Sequence, residues 1–163
     1  MTQFRLDGTA QPRVGEELPI DALRDYLARE VPELCGDIVV EQFPKGHSNL
    51  TYLLRVGDQE LVLRRPPFGA QIKTGHDMGR EHRVLSGLSR VYDRAPKPVA
   101  FCEDEGVMGA PFYIMERKRG VILRQSAKVS HGLDETLMAA LSRSLFSNLV
   151  AIHGVDLAEA GLT

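Results

Sequence analysis

Hydrophobic residues recur along this chain with two periods, and the switches between them mark out its elements. Ile20, Leu23, Leu27 and Val31 repeat at helical spacing after Pro19, and Pro32 ends the run. The stretch before it, residues 1–18, is mixed and turn-rich and reads as a loose arm. From Asp37 the pattern turns β-branched and aromatic. Ile38 to Phe43, Leu50 to Val56 and Glu60 to Arg65 read as three strands. A polar turn, Pro44 to Asn49, joins the first two, and Gly57-Asp58 joins the next two. Asp77 is a good N-cap for a helix running to Val91 with Met78, Leu85, Leu88 and Tyr92 on one stripe. Val99 to Cys102 and Pro111 to Glu116 read as two further strands around a hairpin-like loop, Glu103 to Gly109. Lys118 to Leu133 is polar and irregular, a linker. Thr136 to His153 then reads as a long helix with Leu137, Leu141, Leu145, Leu149 and Ile152 on one stripe, flanked by Met138 and Phe146.

Two of these elements bring opposite charges toward each other. Glu81 stands three residues after Met78 and four before Leu85, which puts a carboxylate on the apolar face of its helix. A carboxylate there is costly unless it meets a cation or reaches solvent, and Arg80 and Arg83 are near in sequence. On the third strand, period two sets Val62 and Arg64 on one face and Leu61 and Leu63 on the other. A strand cation that clamps phosphates, oriented by a helix carboxylate, is one use of such a pair. Arg65 competes with Arg64 for the role. The turn Lys45-Gly46-His47-Ser48-Asn49 offers small residues whose backbone can approach phosphate oxygens.

These segments together resemble the N-terminal part of the aminoglycoside phosphotransferase-like family, which shares the protein-kinase fold. The branch is that of the kinase-like domain of acyl-CoA dehydrogenase fusion proteins. The resemblance rests on residues 43–52, 61–67, 76–81 and 109–116 and covers roughly residues 37–120. It implies an α+β kinase-like N-lobe, a five-stranded antiparallel sheet with one long helix, preceded by an arm and helix (1–36) and followed by a linker and the first helix of a C-lobe (118–163). It also implies ATP with Mg²⁺ as donor and a small hydroxylated acceptor. Carried over, Gly46, Ser48 and Asn49 match the phosphate-covering loop, Arg64 the strand cation and Glu81 its partner. Val62 matches the nucleotide-facing strand position, and Met115, Glu116 and Lys118 the hinge against which the base packs.

Two departures qualify the match. The strand cation is Arg where kinases carry Lys, and Arg is bulkier and planar. The family's H-G-D-x-x-x-x-N catalytic loop is not found: His131-Gly132-Leu133-Asp134 and His153-Gly154-Val155-Asp156 each carry an inserted residue, with Ala139 and Gly161 where Asn is required. The expectation is a truncated chain that binds nucleotide but transfers nothing by itself, with a bare C-terminal helix prone to self-association. A non-catalytic nucleotide-binding module and a pure interaction domain are the alternatives.

Composition narrows the partners. The 163 residues carry 20 Lys+Arg against 22 Asp+Glu, a net charge of −2, and no aromatic-plus-basic stretch. A polybasic nucleic-acid mode is excluded. No apolar run approaches the roughly 18 residues of a membrane span. Cys35 and Cys102 stand far apart, outside any metal or disulfide spacing, and His47, His76 and His82 have no metal-ligand spacing. With no apolar stretch at the N-terminus, a cytoplasmic location with reduced thiols is expected.

Overall fold

The computed structural model describes residues 8–44, 48–69, 77–121 and 134–163. The element order is α1 (Ile20–Glu30), β1 (Ile38–Gln42), β2 (Leu50–Val56), β3 (Gln59–Arg65), α2 (Met78–Val91), β4 (Pro98–Cys102), α3 (Glu105–Met108), β5 (Phe112–Glu116) and α4 (Glu135–His153). The strands form one antiparallel sheet in the order β1-β2-β3-β5-β4. The expected mixed architecture, three strands, a helix and two strands in one sheet, is therefore the observed one.

Alternation along the strands gives the sheet two unlike faces. One carries Leu50, Tyr52, Leu54, Val56, Leu61, Leu63 and Ile114, all buried. Against it pack Leu23, Tyr26 and Leu27 of α1 and Met108 of α3, in a single hydrophobic cluster. Each fully buried Leu contributes about 1.5–3 kcal/mol, so α1 is held to the sheet by its stripe. Burial raises the Tyr26 and Tyr52 phenols to about 12. The opposite face carries Thr51, Leu53, Val62, Arg64, Tyr113 and Met115, register partners across β2, β3 and β5.

Three expectations need correction. The N-terminal arm is not loose over its described part. Ala10 makes a two-bond antiparallel bridge with Gln42, whose buried amide also accepts from the Arg13 backbone N–H at 2.9 Å and donates to Glu16 at 2.5 Å. Tyr52 donates its hydroxyl to the Glu16 carbonyl at 2.7 Å. Segment 103–109 is not a plain loop. Asp104 caps the Gly106 N–H at 2.8 Å, and Gly109 closes the short helix α3 at φ 75°, a conformation that favours glycine. Finally, β5 begins at Phe112 rather than Pro111. Of the expected linker, residues 122–133 lie outside the described residues.

Helix α4 starts at the Asp134 cap, which accepts from the Leu137 N–H at 2.7 Å, and none of its residues is buried. Leu145, Phe146, Leu149 and Val150 are all exposed. Its polar Asn148 meets the segment after α2, accepting from the Tyr92 hydroxyl at 2.7 Å and from Arg94. The turn after α4 then lies on α2 itself, with Ala160 buried against Gly87. No helix among the described residues is long and apolar enough to cross a membrane.

Gly87 is the contact that allows this approach. A Cβ there would sit 2.6 Å from the Ala160 carbonyl oxygen and 2.8 Å from Leu162 Cδ2. Alanine in a helix interior normally stabilises by up to about 1 kcal/mol over glycine. Here overpacking, typically about 1–3 kcal/mol, should win. Gly87→Ala is expected to lower the thermal midpoint; an unchanged or higher midpoint would contradict the close packing.

Candidate functional site

The site is assembled on the face opposite α1. Helix α2 begins at Asp77, whose carboxylate accepts the Arg80 N–H at 2.8 Å. That cap fixes the first turn, so Met78 faces inward and Glu81, one turn on, faces the same way. The Glu81 carboxylate then meets three groups, from β3, from β5 and from the turn before β2. Arg64 Nε of β3 lies 3.3 Å from Oε2. The Tyr113 hydroxyl of β5 donates to Oε2 at 2.9 Å, and the Asn49 amide donates to Oε1 at 3.0 Å. The ion pair is thus closed, with both side chains near 30% exposed. Burial, reinforced by the bond to Glu81 and opposed by Arg64, pushes the Tyr113 phenol well above its ordinary value. It stays a donor to the carboxylate.

The register settles which arginine faces the helix. Arg64 pairs across the sheet with Thr51 and Tyr113, on the Glu81 side. Arg65 turns to the core face and is 1% exposed. Its guanidinium lies 3.6 Å from the Phe68 ring centre, and its Nε donates to the Pro66 carbonyl at 3.2 Å. Burial lowers its pKa. Arg65 is therefore no rival for the pair with Glu81.

The other expected site residues fall into groups. Val62 stands two residues before Arg64 on the same face, opposite Met115 in register, so these three lie together. Asn49 is buried and turned to Glu81 rather than outward. Ser48 is exposed beside it. Gly46 lies outside the described residues, as do Lys45 and His47. Glu116 pairs in register with Leu61, so its side chain belongs to the other face from Arg64. It meets Lys118 Nζ at 3.0 Å and accepts the Lys97 N–H at 3.3 Å. Its carboxyl is held below its usual value by Lys118, against burial. Glu116 and Lys118 line a pocket of roughly 460 Å³ with Arg90, Tyr92 and Lys97. Tyr113 was missed from the sequence, because its place beside Arg64 depends on the β3–β5 register. His82, one residue past Glu81, stacks on Phe101 at 4.8 Å, and burial lowers its pKa.

A sheet-borne guanidinium beside a helix carboxylate, about 30% open to solvent, is suited to an anion above the sheet. A search against known families gives the class. The profile of the phosphotransferase enzyme family matches residues 39–163, and the chain belongs to that family. Among curated relatives, acyl-CoA dehydrogenase family member 10 of Mus musculus is 34% identical over 146 residues, covering 89% of this chain and 14% of its own length. Member 11 of Rattus norvegicus is 33% identical over 147 residues, covering 88% and 19%. A crystal structure described as a "putative aminoglycoside phosphotransferase" from Ralstonia eutropha superposes with a TM-score of 0.72 at 32% identity, covering 90% of this chain and 41% of that one. The chain thus spans less than half of the solved neighbour and about a fifth or less of these curated relatives.

The geometry predicts how Glu81 variants behave. Glu81→Gln loses a part-exposed ion pair, about 0–1 kcal/mol, and keeps an acceptor for Tyr113, so thermal unfolding should barely move. Glu81→Leu strands the Tyr113 hydroxyl, about 1–3 kcal/mol for a buried group left unpaired. Equal losses from the two variants would contradict this assignment.

Proposed function

We propose that this chain is part of a kinase-like phosphotransfer domain, a reading that its family and fold support. We propose that the chain is its nucleotide-binding part, in a protein that moves the γ-phosphoryl of ATP to a small hydroxylated acceptor. The observation that supports this reading is the closed Arg64–Glu81 pair beside Val62 and Met115. Arg64 would hold phosphate oxygens, Glu81 would fix the direction of its guanidinium, and Asn49 and Tyr113 would fix Glu81. Val62 and Met115 would form the apolar surface for the base. Ser48, with Gly46 of the same turn, would cover the phosphates, and the backbone of Glu116 and Lys118 would edge the base.

The phosphates of the donor suit these residues, because a guanidinium beside Glu81 and about 30% exposed can donate to phosphate oxygens. Among the described residues no group of three or more His, Cys, Asp or Glu side chains could hold a metal ion. The acceptor-positioning Asp of an H-G-D-x-x-x-x-N loop has no counterpart in residues 1–163. The 163-residue chain is therefore proposed to bind nucleotide without transferring phosphoryl, in a cytoplasmic protein.

The test is calorimetry with ATP, beside a transfer assay on hydroxylated metabolites. Binding is expected, weakened about tenfold or more in Arg64→Ala, in line with a charge-assisted pair contributing about 1.5–3 kcal/mol, and transfer is expected to stay at background. Binding unaffected by Arg64→Ala, or clear turnover, would contradict the reading.

The bare stripe of α4 supports a second proposal, that this chain self-associates through Leu145, Phe146, Leu149 and Val150. Sedimentation velocity should show a concentration-dependent dimer that Leu145→Glu abolishes. A strict monomer at high concentration would overturn it.

A further inference from the structure

The segment that follows β5 has an anchor outside the backbone ladder. The last register pair between β3 and β5 is Leu61 with Glu116. Beyond it, side chains take over. Glu60 stands two residues before Val62 and four before Arg64, so the three share one face of β3. Its Oε2 lies 2.7 Å from Arg117 Nη1 and 2.7 Å from Arg119 Nη2, with Arg119 Nε at 3.0 Å. Its Oε1 lies 3.4 Å from Arg55 Nε, and Arg55 Nη1 lies 2.8 Å from Glu41.

Three guanidiniums thus share two carboxylates across β1, β2, β3 and the segment after β5. The contact between Glu60 and Arg117 is sheltered, with side chains 19% and 14% exposed. Burial acts to raise the Glu60 carboxyl, but Arg119 and Arg117 more than offset it, and it titrates below its ordinary value. Isolated surface pairs hold little, whereas a network with fork-like guanidinium geometry holds direction. Arg117 and Arg119 are alternate residues, and both reach back to one carboxylate oxygen.

We propose that Glu60 is a positioning residue. It holds residues 117–119 against β3 and so sets how tightly the apolar surface of Val62 and Met115, edged by that segment, takes a nucleobase. This rests on the nucleotide reading above. Glu60 touches no phosphate in that reading, so its effect should separate base from phosphates. A preformed edge costs less ordering on binding than a mobile one.

The experiment has two arms on the 163-residue chain and its Glu60→Gln variant. The first is amide hydrogen exchange without ligand. Residues 117–120 should exchange about tenfold faster in the variant, while α2 stays unchanged. The second is calorimetry with adenosine and with inorganic tripolyphosphate. Adenosine should weaken about tenfold and tripolyphosphate by less than about twofold. Arg117→Ala should match Glu60→Gln, with the double variant no worse than either. Unchanged exchange at 117–120 would overturn the anchor. Equal weakening of both ligands would overturn its selectivity for the base. A wild-type chain that binds neither probe overturns the nucleotide reading and the base role with it, while the exchange arm by itself still decides the anchor.

Discussion

The carboxylate of Glu81 is the point on which the site depends. It sits on the inward side of α2, where an unpaired charge would be costly. Partners answer from three places at once: Arg64 on β3, Tyr113 on β5 and Asn49 just before β2. Each partner does a different job. The tyrosine and the asparagine satisfy lone pairs and hold the carboxylate still, and the arginine keeps a guanidinium aimed across the face. The pair therefore sets direction more than it adds stability, as expected for two side chains that keep about a third of their surface.

The rest of the fold serves that arrangement through its two-faced sheet. The core side, with α1 and α3, holds the largest hydrophobic cluster. The other side buries Leu53, Val62 and Met78 beside its charged and polar groups. Helix α2 packs on β4 and β5 and on the turn after α4 through Gly87. The position of Glu81 thus depends on contacts with segments beyond the sheet. The Arg94 and Tyr92 bonds to Asn148 run in parallel with that contact.

Much of this was legible in the sequence because it follows from periodicity. Alternation in Leu61-Val62-Leu63-Arg64 separates Arg64 from the core-facing leucines, and helical spacing from Met78 turns Glu81 inward. The choice between Arg64 and Arg65 needed the packing, since only the core on the far face shows where Arg65 goes. Tyr113 needed the β3–β5 register, a non-local pairing that no local pattern encodes. Glu60 with Arg117 and Arg119 was hidden for the same reason, its members being 57 and 59 residues apart. The arm escaped notice because its attachment is largely one buried side chain, Gln42, against a turn-rich stretch with no period. Helix α3 is a single turn, too short for periodicity, and only its caps, Asp104 and Gly109, announce it.

The central claim is that the face holding Arg64 and Glu81 receives a nucleotide. Amide and side-chain chemical-shift mapping of the 163-residue chain during titration with ATP tests it directly. The account predicts shifts concentrated at Ser48, Asn49, Val62, Arg64, Glu81 and residues 115–118, with α1 and the core face around Leu23 and Tyr52 silent. Saturating ATP that shifts none of these, or that shifts the core face and α4 instead, would contradict it.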